Sequence, residues 1–153
     1  MSDLLDVSQA SAMLRKMLPL YESIGLTVEH MSDVLECSVP FSRHNQNHLG
    51  TLHAGVQWSA AEMLGGLLYM THMQTLGNCS PVVCEVNIKF LKAATSRIRA
   101  RTRFDADQVQ ALKTTLDSEN KAFFDLNIEL LDDADLVVST VVAKYRYRRA
   151  TSD

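Results

Sequence analysis

A polar segment that ends in two small residues carries the residue types best suited to chemistry on a carbonyl group. It contains Asn47 and His53 and ends at Ala54-Gly55, and a single carboxylate, Glu62, follows seven residues later. If a helix begins at the small pair, its first N–H groups lack intrahelical partners and lie at the positive end of the helix dipole. Such N–H groups suit an oxyanion, and small side chains let a substrate carbonyl approach them. A carboxylate could then act as general base or as nucleophile, and the sequence leaves both roles open.

The segment around Glu62 has the pattern of a buried helix. From His53 to about Gln74 the predicted helix is apolar on nearly every side, which is typical of a helix enclosed by the rest of the fold. A carboxylate in such a helix is costly unless it has a polar partner or a chemical role. We therefore predict that Glu62 is catalytic, with a buried structural carboxylate as the alternative. We also predict a role in the site for Asn47, with a turn residue as the alternative, while His53 could order the helix start instead of transferring a proton.

Helix geometry separates the two halves of this candidate site. Glu62 lies eight residues beyond Ala54, which is about 12 Å along the axis at ~1.5 Å per residue. A glutamate side chain cannot reach back that far, so both groups can act on one carbonyl only if they come from different chains. A two-fold dimer with antiparallel central helices would bring each Glu62 to the helix start of the second chain. We therefore expect a homo-oligomer, at least a dimer, with a tetramer also open.

Alternation of apolar and polar residues predicts antiparallel strands with one buried face in the second half of the chain. The strand-like segments are 82–90, 97–104, 124–130 and 136–147. We place Cys84 in the core, together with Cys37 of an earlier strand candidate. One short surface helix, around 109–116, is predicted between the strands.

The first half of the chain supplies the remaining elements. Apolar residues at helical spacing predict an amphipathic N-terminal helix over about 7–20. Strands are predicted over Ile24–His30 and Val34–Pro40, and 41–52 is interpreted as an ordered polar loop. One apolar helix followed by long antiparallel strands favours a curved sheet wrapped around that helix. The predicted fold class is therefore α+β, with the architecture of the hotdog fold.

The junction between the loop and the apolar helix resembles a family signature. The run from Asn47 to Gly55, NHLGTLHAG, followed by Glu62, is similar to the hotdog-fold thioesterases of the PaaI-like and 4-hydroxybenzoyl-CoA groups. It looks closest to the YiiD-type branch of that superfamily, and the segment Glu85–Leu91 also resembles the family's next strand. The resemblance implies an acyl-CoA thioesterase whose site is shared between subunits, with Asn47 near the acid and the attacking water.

One position departs from the family pattern. Several PaaI-like enzymes carry a Ser or Thr on the strand after the helix, where it helps to hold the water. Alignment on Asn87-Ile88 puts Val83 at that position, and Ser80 is out of register. The resemblance therefore leaves the third polar group of the site unassigned.

A row of arginines occupies alternate positions of one predicted strand. Because side chains two residues apart point to the same face of a strand, the row lies on one side of the sheet. Its members are Arg97, Arg99, Arg101 and Arg103. Such a row can be an ordinary solvated or subunit-facing surface, or it can bind the phosphates of coenzyme A, for which the forked donors of arginine are well suited.

Bulk properties restrict the partners and the compartment. At 153 residues the chain has the size of one domain, and we expect a single domain over 1–153 with its core at about 24–148. The formal charge of −3 gives no reason to expect a nucleic-acid partner. The N-terminus lacks the basic and apolar regions of a signal peptide, and the most apolar stretch, 56–73, is interrupted by polar residues. Three cysteines without metal-type spacing fit a reduced setting, so we expect a cytoplasmic protein without a membrane partner.

The sequence also bears on metal chemistry and on two functions that compete with thioester hydrolysis. His44, His48, His53 and Glu62 match no known metal-site spacing, so we expect no metal, and no cofactor beyond the coenzyme A of the substrate. Hotdog hydratases and dehydratases carry an Asp-x-Asn-Pro-x-His or a His-plus-acid pattern with nearby prolines, and this loop has no proline. A non-catalytic module that binds acyl-CoA or an acyl lipid is the competitor from another class.

Overall fold

The computed structural model describes residues 5–150 of the chain. Its helices are α1 (Val7–Met17), α2 (Pro19–Ile24), α3 (Ala54–Leu76) and α4 (Ala106–Glu119), with one 3₁₀ turn at Arg43–Asn45. Its strands are β1 (Thr27–Met31), β2 (Val34–Val39), β3 (Cys79–Phe90), β4 (Ile98–Arg103), β5 (Lys121–Leu131) and β6 (Val137–Arg149).

The six strands of the described residues form one antiparallel sheet in the order β1-β2-β4-β5-β6-β3. The sheet curves around α3, whose buried residues include Ala60, Leu64 and Leu68. The alternation predicted for β4 is confirmed, since Ile98 and Ala100 are fully buried while the residues between them point to the other face. The predicted α+β hotdog fold, with a long central helix wrapped by a curved antiparallel sheet, is confirmed.

The N-terminal segment differs from the single helix predicted over 7–20. Helix α1 ends at Met17, and Leu18 is extended, with φ −127° and ψ 96°. The physical reason is Pro19, because proline pushes the preceding residue out of the helical region. Proline is well tolerated at the first position of a helix, and Pro19 begins the separate helix α2.

One strand and one helix have bounds that differ from those predicted, in both cases because of neighbouring residues. The strand predicted from Ile24 begins instead at Thr27, because Ile24 is the last residue of α2 and Gly25 ends that helix in the left-handed region (φ 68°). The short helix predicted around 109–116 extends over Ala106–Glu119, because Asp105 and Gln108 form a capping box that begins it earlier.

Strand β3 contains an irregularity that its apolar alternation conceals. The register with β6 shifts between Val83 and Glu85, so Cys84 is an extra residue in β3. The alternation of side chains between the two faces of the sheet therefore shifts by one residue at this point. Cys84 is exposed, and its predicted core position is wrong for this reason. Cys37 is buried with 0% exposure, as predicted.

Strand β3 is also an open edge of the sheet. It pairs with β6 on one side and with no other strand of residues 5–150 on the other. Val86 and Phe90 lie opposite the buried Ala143 and Ser139 of β6, hence on the face that α3 covers, yet they are 41% and 51% exposed. A long unpaired edge with exposed apolar side chains is typical of a strand that is covered by another chain.

Candidate active site

The loop before α3 is fixed by hydrogen bonds to other segments. The N–H of Leu52 donates to the carbonyl of Ala94, and the N–H of His53 donates to the carbonyl of Asn45, both at 2.8 Å. The buried amide of Asn45 donates in turn to two backbone carbonyls of earlier segments, at 2.9 and 3.0 Å. The start of α3 therefore has a defined position relative to the sheet.

Asn47 organises the tip of this loop. Its side-chain oxygen accepts hydrogen bonds from the N–H groups of Leu49 (2.9 Å) and Thr51 (3.2 Å), and its amide nitrogen donates to Thr51 Oγ1 (2.9 Å). These are the contacts of a turn residue. The amide has two hydrogens, so one donor remains for water or a substrate. A turn role and a chemical role are thus compatible in this side chain.

The first turn of α3 leaves one backbone N–H unpaired. His53 is the N-cap, and its Nδ1 accepts the N–H of Gly55 at 2.9 Å. The N–H groups of Val56 and Gln57 donate to the carbonyl of His53. The N–H of Ala54, which is exposed, has no backbone acceptor within the described residues. Of the two predicted oxyanion donors, the Ala54 N–H is therefore free, while the Gly55 N–H is engaged by the cap.

A cleft of about 340 Å³ opens beside this helix start. Its lining residues are Asn47, Thr51, Leu52, Ala54, Gln57 and the segment 90–94. The side chain of Gln57 connects two other segments, because its amide donates to the carbonyl of Leu52 (3.1 Å) and its oxygen accepts from the Ser139 hydroxyl (2.6 Å). Gln57 thus fixes the loop to the helix, while Asn47 and Ala54 each offer an N–H donor to the cleft.

Glu62 lies two turns further along α3 and has a partner that the sequence did not indicate. The Tyr21 hydroxyl donates to Glu62 Oε2 at 2.6 Å. Tyr21 comes from α2, and no local sequence pattern links it to a residue forty-one positions later. The hydroxyl of Tyr145 on β6 donates to the backbone carbonyl of Glu62 at 2.7 Å. Two tyrosines therefore fix this turn of the helix, one through the carboxylate and one through the backbone.

Glu62 borders a small cavity whose walls are otherwise mostly apolar. The cavity measures about 130 Å³. The residues that line it with Glu62 are Leu18, Tyr21, Met63, Gly66, Pro81, Val83 and Tyr145. Val83, the position that the resemblance aligns with a Ser or Thr, lines the same cavity as Glu62. Burial, followed by the hydrogen bond and charge of Glu62, raises the pKa of Tyr21 above its ordinary value, so this hydroxyl keeps its proton and stays a donor.

One chain alone does not bring the predicted residues together. The helix-start cleft and the Glu62 cavity share no lining residue. Ala54 and Glu62 belong to one continuous stretch of α3, about 12 Å apart along its axis. The structure therefore places Asn47, His53, Ala54 and Gly55 in one group and Glu62 with Tyr21 in another.

The arginine row lies on the opposite face of the sheet from α3 and is largely paired with carboxylates. The acidic partners are Glu29 and Asp133 for Arg97, Glu36 and Asp135 for Arg99, and Glu36 again for Arg101. Arg103 is exposed and forms no ion pair within residues 5–150. Together with Arg101 it borders a hollow of about 420 Å³ on the outer face. Binding of coenzyme A by this row remains a prediction.

No three His, Cys, Asp or Glu side chains of residues 5–150 lie close enough together to hold a metal ion. None of the described helices combines the length and hydropathy that a helix needs to cross a membrane.

Comparison with solved structures gives several likenesses over nearly the whole chain. A Pseudomonas aeruginosa protein of unknown function, described as a probable thioesterase, is 27% identical with a TM-score of 0.87, covering 95% of this chain and 97% of that one. A Chlorobaculum tepidum protein of unknown function is 23% identical, with a TM-score of 0.84 and coverage of 96% and 99%. A thioesterase from Haemophilus influenzae is 14% identical, with a TM-score of 0.74 and coverage of 97% and 94%. No curated protein matches the chain.

The fold, the loop–helix junction and these likenesses define the class: the chain is a hotdog-fold protein of the thioesterase superfamily. Within that class, residues 7–146 match the family described as "Domain of unknown function (DUF4442)", and the chain belongs to this family.

Proposed function

We propose that the protein is an enzyme that hydrolyses acyl-CoA thioesters at a site shared between two copies of the chain. The observation that carries the proposal is the setting of Glu62, a half-buried carboxylate with one oxygen held by Tyr21 and no hydrogen bond to the other within residues 5–150. Such a carboxylate beside apolar walls is suited to take a proton from water or to attack a carbonyl. The likeness to a probable thioesterase at 27% identity supports hydrolysis as the reaction.

Strand β3 supplies the geometric reason for a shared site. The Glu62 cavity is lined by Pro81 and Val83, near the start of β3, and the helix-start cleft by Phe90 and Leu91, at its end. If two chains pair antiparallel through the middle of β3, the start of each strand lies beside the end of the other. This pairing would cover the exposed apolar side chains of the edge and bring each Glu62 to the helix start of the second chain.

In this arrangement each group has a distinct task. Water attacks the thioester carbonyl carbon while Glu62 accepts the water's proton, and the free N–H of Ala54 receives the developing oxyanion. When the carbon–sulfur bond breaks, the proton passes from Glu62 to the leaving thiolate. If Glu62 attacks directly, an acyl–enzyme anhydride forms first and water then hydrolyses it. The remaining donor of the Asn47 amide would orient the water in either route.

The residues that line the Glu62 cavity indicate which kind of acyl group it would accept. Its apolar lining residues are Leu18, Met63, Pro81 and Val83. The hydroxyls of Tyr21 and Tyr145 are already committed to Glu62. A charged acyl group would be desolvated there without a partner, so we propose apolar aliphatic or aromatic acyl groups as substrates.

The test is release of free thiol from a panel of acyl-CoAs, compared with equilibrium binding of the same panel. We expect turnover with apolar acyl groups and little with dicarboxylic ones. Binding without thiol release would instead indicate a non-catalytic acyl-CoA module. Loss or gain of the enoyl absorbance without thiol release would indicate a hydratase or dehydratase.

The arginine row gives a separate prediction about coenzyme A. Arg103 is the member whose charge is not paired within residues 5–150, so Arg103→Ala should raise KM several-fold with little change in kcat, and the wild-type KM should rise with salt. Arg97→Ala is the matched control, because Arg97 already pairs with two carboxylates. Equal KM values for wild type and both variants would leave the row as ordinary sheet surface.

A further inference from the structure

We infer that Tyr21 is a positioning residue of the active site, whose hydroxyl holds the Glu62 carboxylate in its working orientation; this rests on the proposed thioesterase function. It would make the N-terminal helices part of the site and not only a cover for the core. The hydroxyl acts on the carboxylate, and the carboxylate acts on the substrate.

The ring of Tyr21 is held firmly where this role requires it. Tyr21 is only 6% exposed. Its N–H donates to the carbonyl of Leu18 (2.9 Å), and its own carbonyl accepts the N–H of Leu26 (3.0 Å). The short helix α2 therefore fixes the backbone on both sides of the ring. The hydroxyl then reaches Glu62 Oε2 at 2.6 Å, which is within the usual range for a charge-assisted O–H to carboxylate hydrogen bond.

No other side chain of residues 5–150 donates a hydrogen bond to this carboxylate. Val83 lines the cavity at the strand position where a hydroxyl was expected, and it offers none. The Tyr145 hydroxyl is committed to the backbone carbonyl of Glu62. One donor on one oxygen limits the rotation of the carboxylate and leaves its second oxygen for water or substrate.

The Tyr21 hydroxyl stays protonated, and so remains a hydrogen-bond donor to Glu62, over a wide pH range. The groups that act on Tyr21 are Glu62 of α3, Tyr145 of β6 and Cys37 of β2. Burial is the largest cause, and together with these groups it raises the pKa of Tyr21. Burial likewise raises the pKa of Tyr145. Both hydroxyls therefore remain protonated wherever the enzyme would be assayed.

The test replaces the hydroxyl and keeps the ring. Tyr21→Phe should lower kcat about tenfold with KM within about twofold, since it removes one hydrogen bond to a charged group. In a Glu62→Gln background the same change should have little further effect on residual turnover, because both variants act through one group.

Tyr147→Phe is the matched control. Tyr147 is buried and donates to α3 in the same way, at 2.5 Å, but to the backbone carbonyl of Gly65 and not to a carboxylate. It should lower the melting temperature as Tyr21→Phe does, yet leave kcat unchanged. If Tyr21→Phe does not fold, Tyr21→Met, which also lacks a donor, takes its place in the same assays.

The outcomes separate this inference from the proposed function. If the wild type releases no thiol from any thioester, the proposed function fails and the inference fails with it. If the wild type is active and Tyr21→Phe matches it in kcat, only the inference fails. An equal loss of kcat in Tyr147→Phe would show that Tyr21 matters for the fold alone.

Discussion

Replacing Glu62 by glutamine should lower kcat by about 100-fold or more, because the change removes the group that accepts a proton or attacks the carbonyl. Glutamine has the same shape and keeps a side-chain oxygen that can accept the Tyr21 hydrogen bond seen at 2.6 Å. The fold should therefore survive, and the loss should fall on kcat and not on KM. The rate of thiol release at saturating acyl-CoA gives kcat for the wild type and for Glu62→Gln, and their melting temperatures show whether the fold survives.

The control for the charge change is Glu119→Gln. Glu119 is an exposed glutamate at the end of α4 and lines neither the helix-start cleft nor the Glu62 cavity. It should leave turnover unchanged. Near-normal kcat in Glu62→Gln would remove Glu62 from the mechanism and return it to the role of a buried structural carboxylate.

The two roles left open for Glu62 can be separated in the same preparation. A nucleophilic carboxylate forms an anhydride with the acyl group, so a rapid acid quench followed by peptide mass spectrometry should find the acyl mass on the peptide that contains Glu62. A general base forms no such adduct and should show only free acid and thiol.

The structural features that are predicted well from the sequence are those with a local periodic pattern of apolar residues. The apolar helix that carries Glu62 and the alternating strands each have a repeat that a short window reveals. The break at Leu18 followed from a single proline, so it is explained by local chemistry although the prediction placed it later. The bulge at Cys84 is different in kind. Val82, Cys84 and Val86 are all apolar, so the sequence gives no sign that the strand changes faces between them.

The residues of the candidate site form the same two groups, those that local sequence indicates and those that only the fold brings together. Asn47, His53 and Ala54 were identified because they are neighbours in the sequence. Their hydrogen bonds, such as the cap that engages the Gly55 N–H, depend on side-chain geometry that spacing does not fix. Tyr21 was missed altogether, because its contact with Glu62 is a tertiary contact between distant segments and an amphipathic helix gives no reason to single out one tyrosine.

The shared site can be tested with variants chosen from the structure. Ala54 is the first residue of α3, a position where proline is tolerated, and His53 before it already has extended angles (φ −62°, ψ 137°) that proline permits. Ala54→Pro should therefore remove the one free N–H with little disturbance of the helix. Losing an oxyanion donor should lower kcat by about 100-fold. Ala106→Pro, the same change at the first position of α4, is the matched control and should stay active.

Mixing Ala54→Pro with Glu62→Gln should then restore activity that neither homodimer has. If each site takes its helix start from one chain and its carboxylate from the other, a heterodimer contains one site with both lesions and one with neither. Random pairing makes about half of the dimers heterodimers, each with one working site of two, so turnover should recover to about a quarter of wild type. Co-refolding of differently tagged chains, with the heterodimer fraction measured by native mass spectrometry, gives the comparison. Heterodimers that form but show no recovery would mean that the Ala54 N–H and Glu62 act within one chain, in spite of the roughly 12 Å of helix between them.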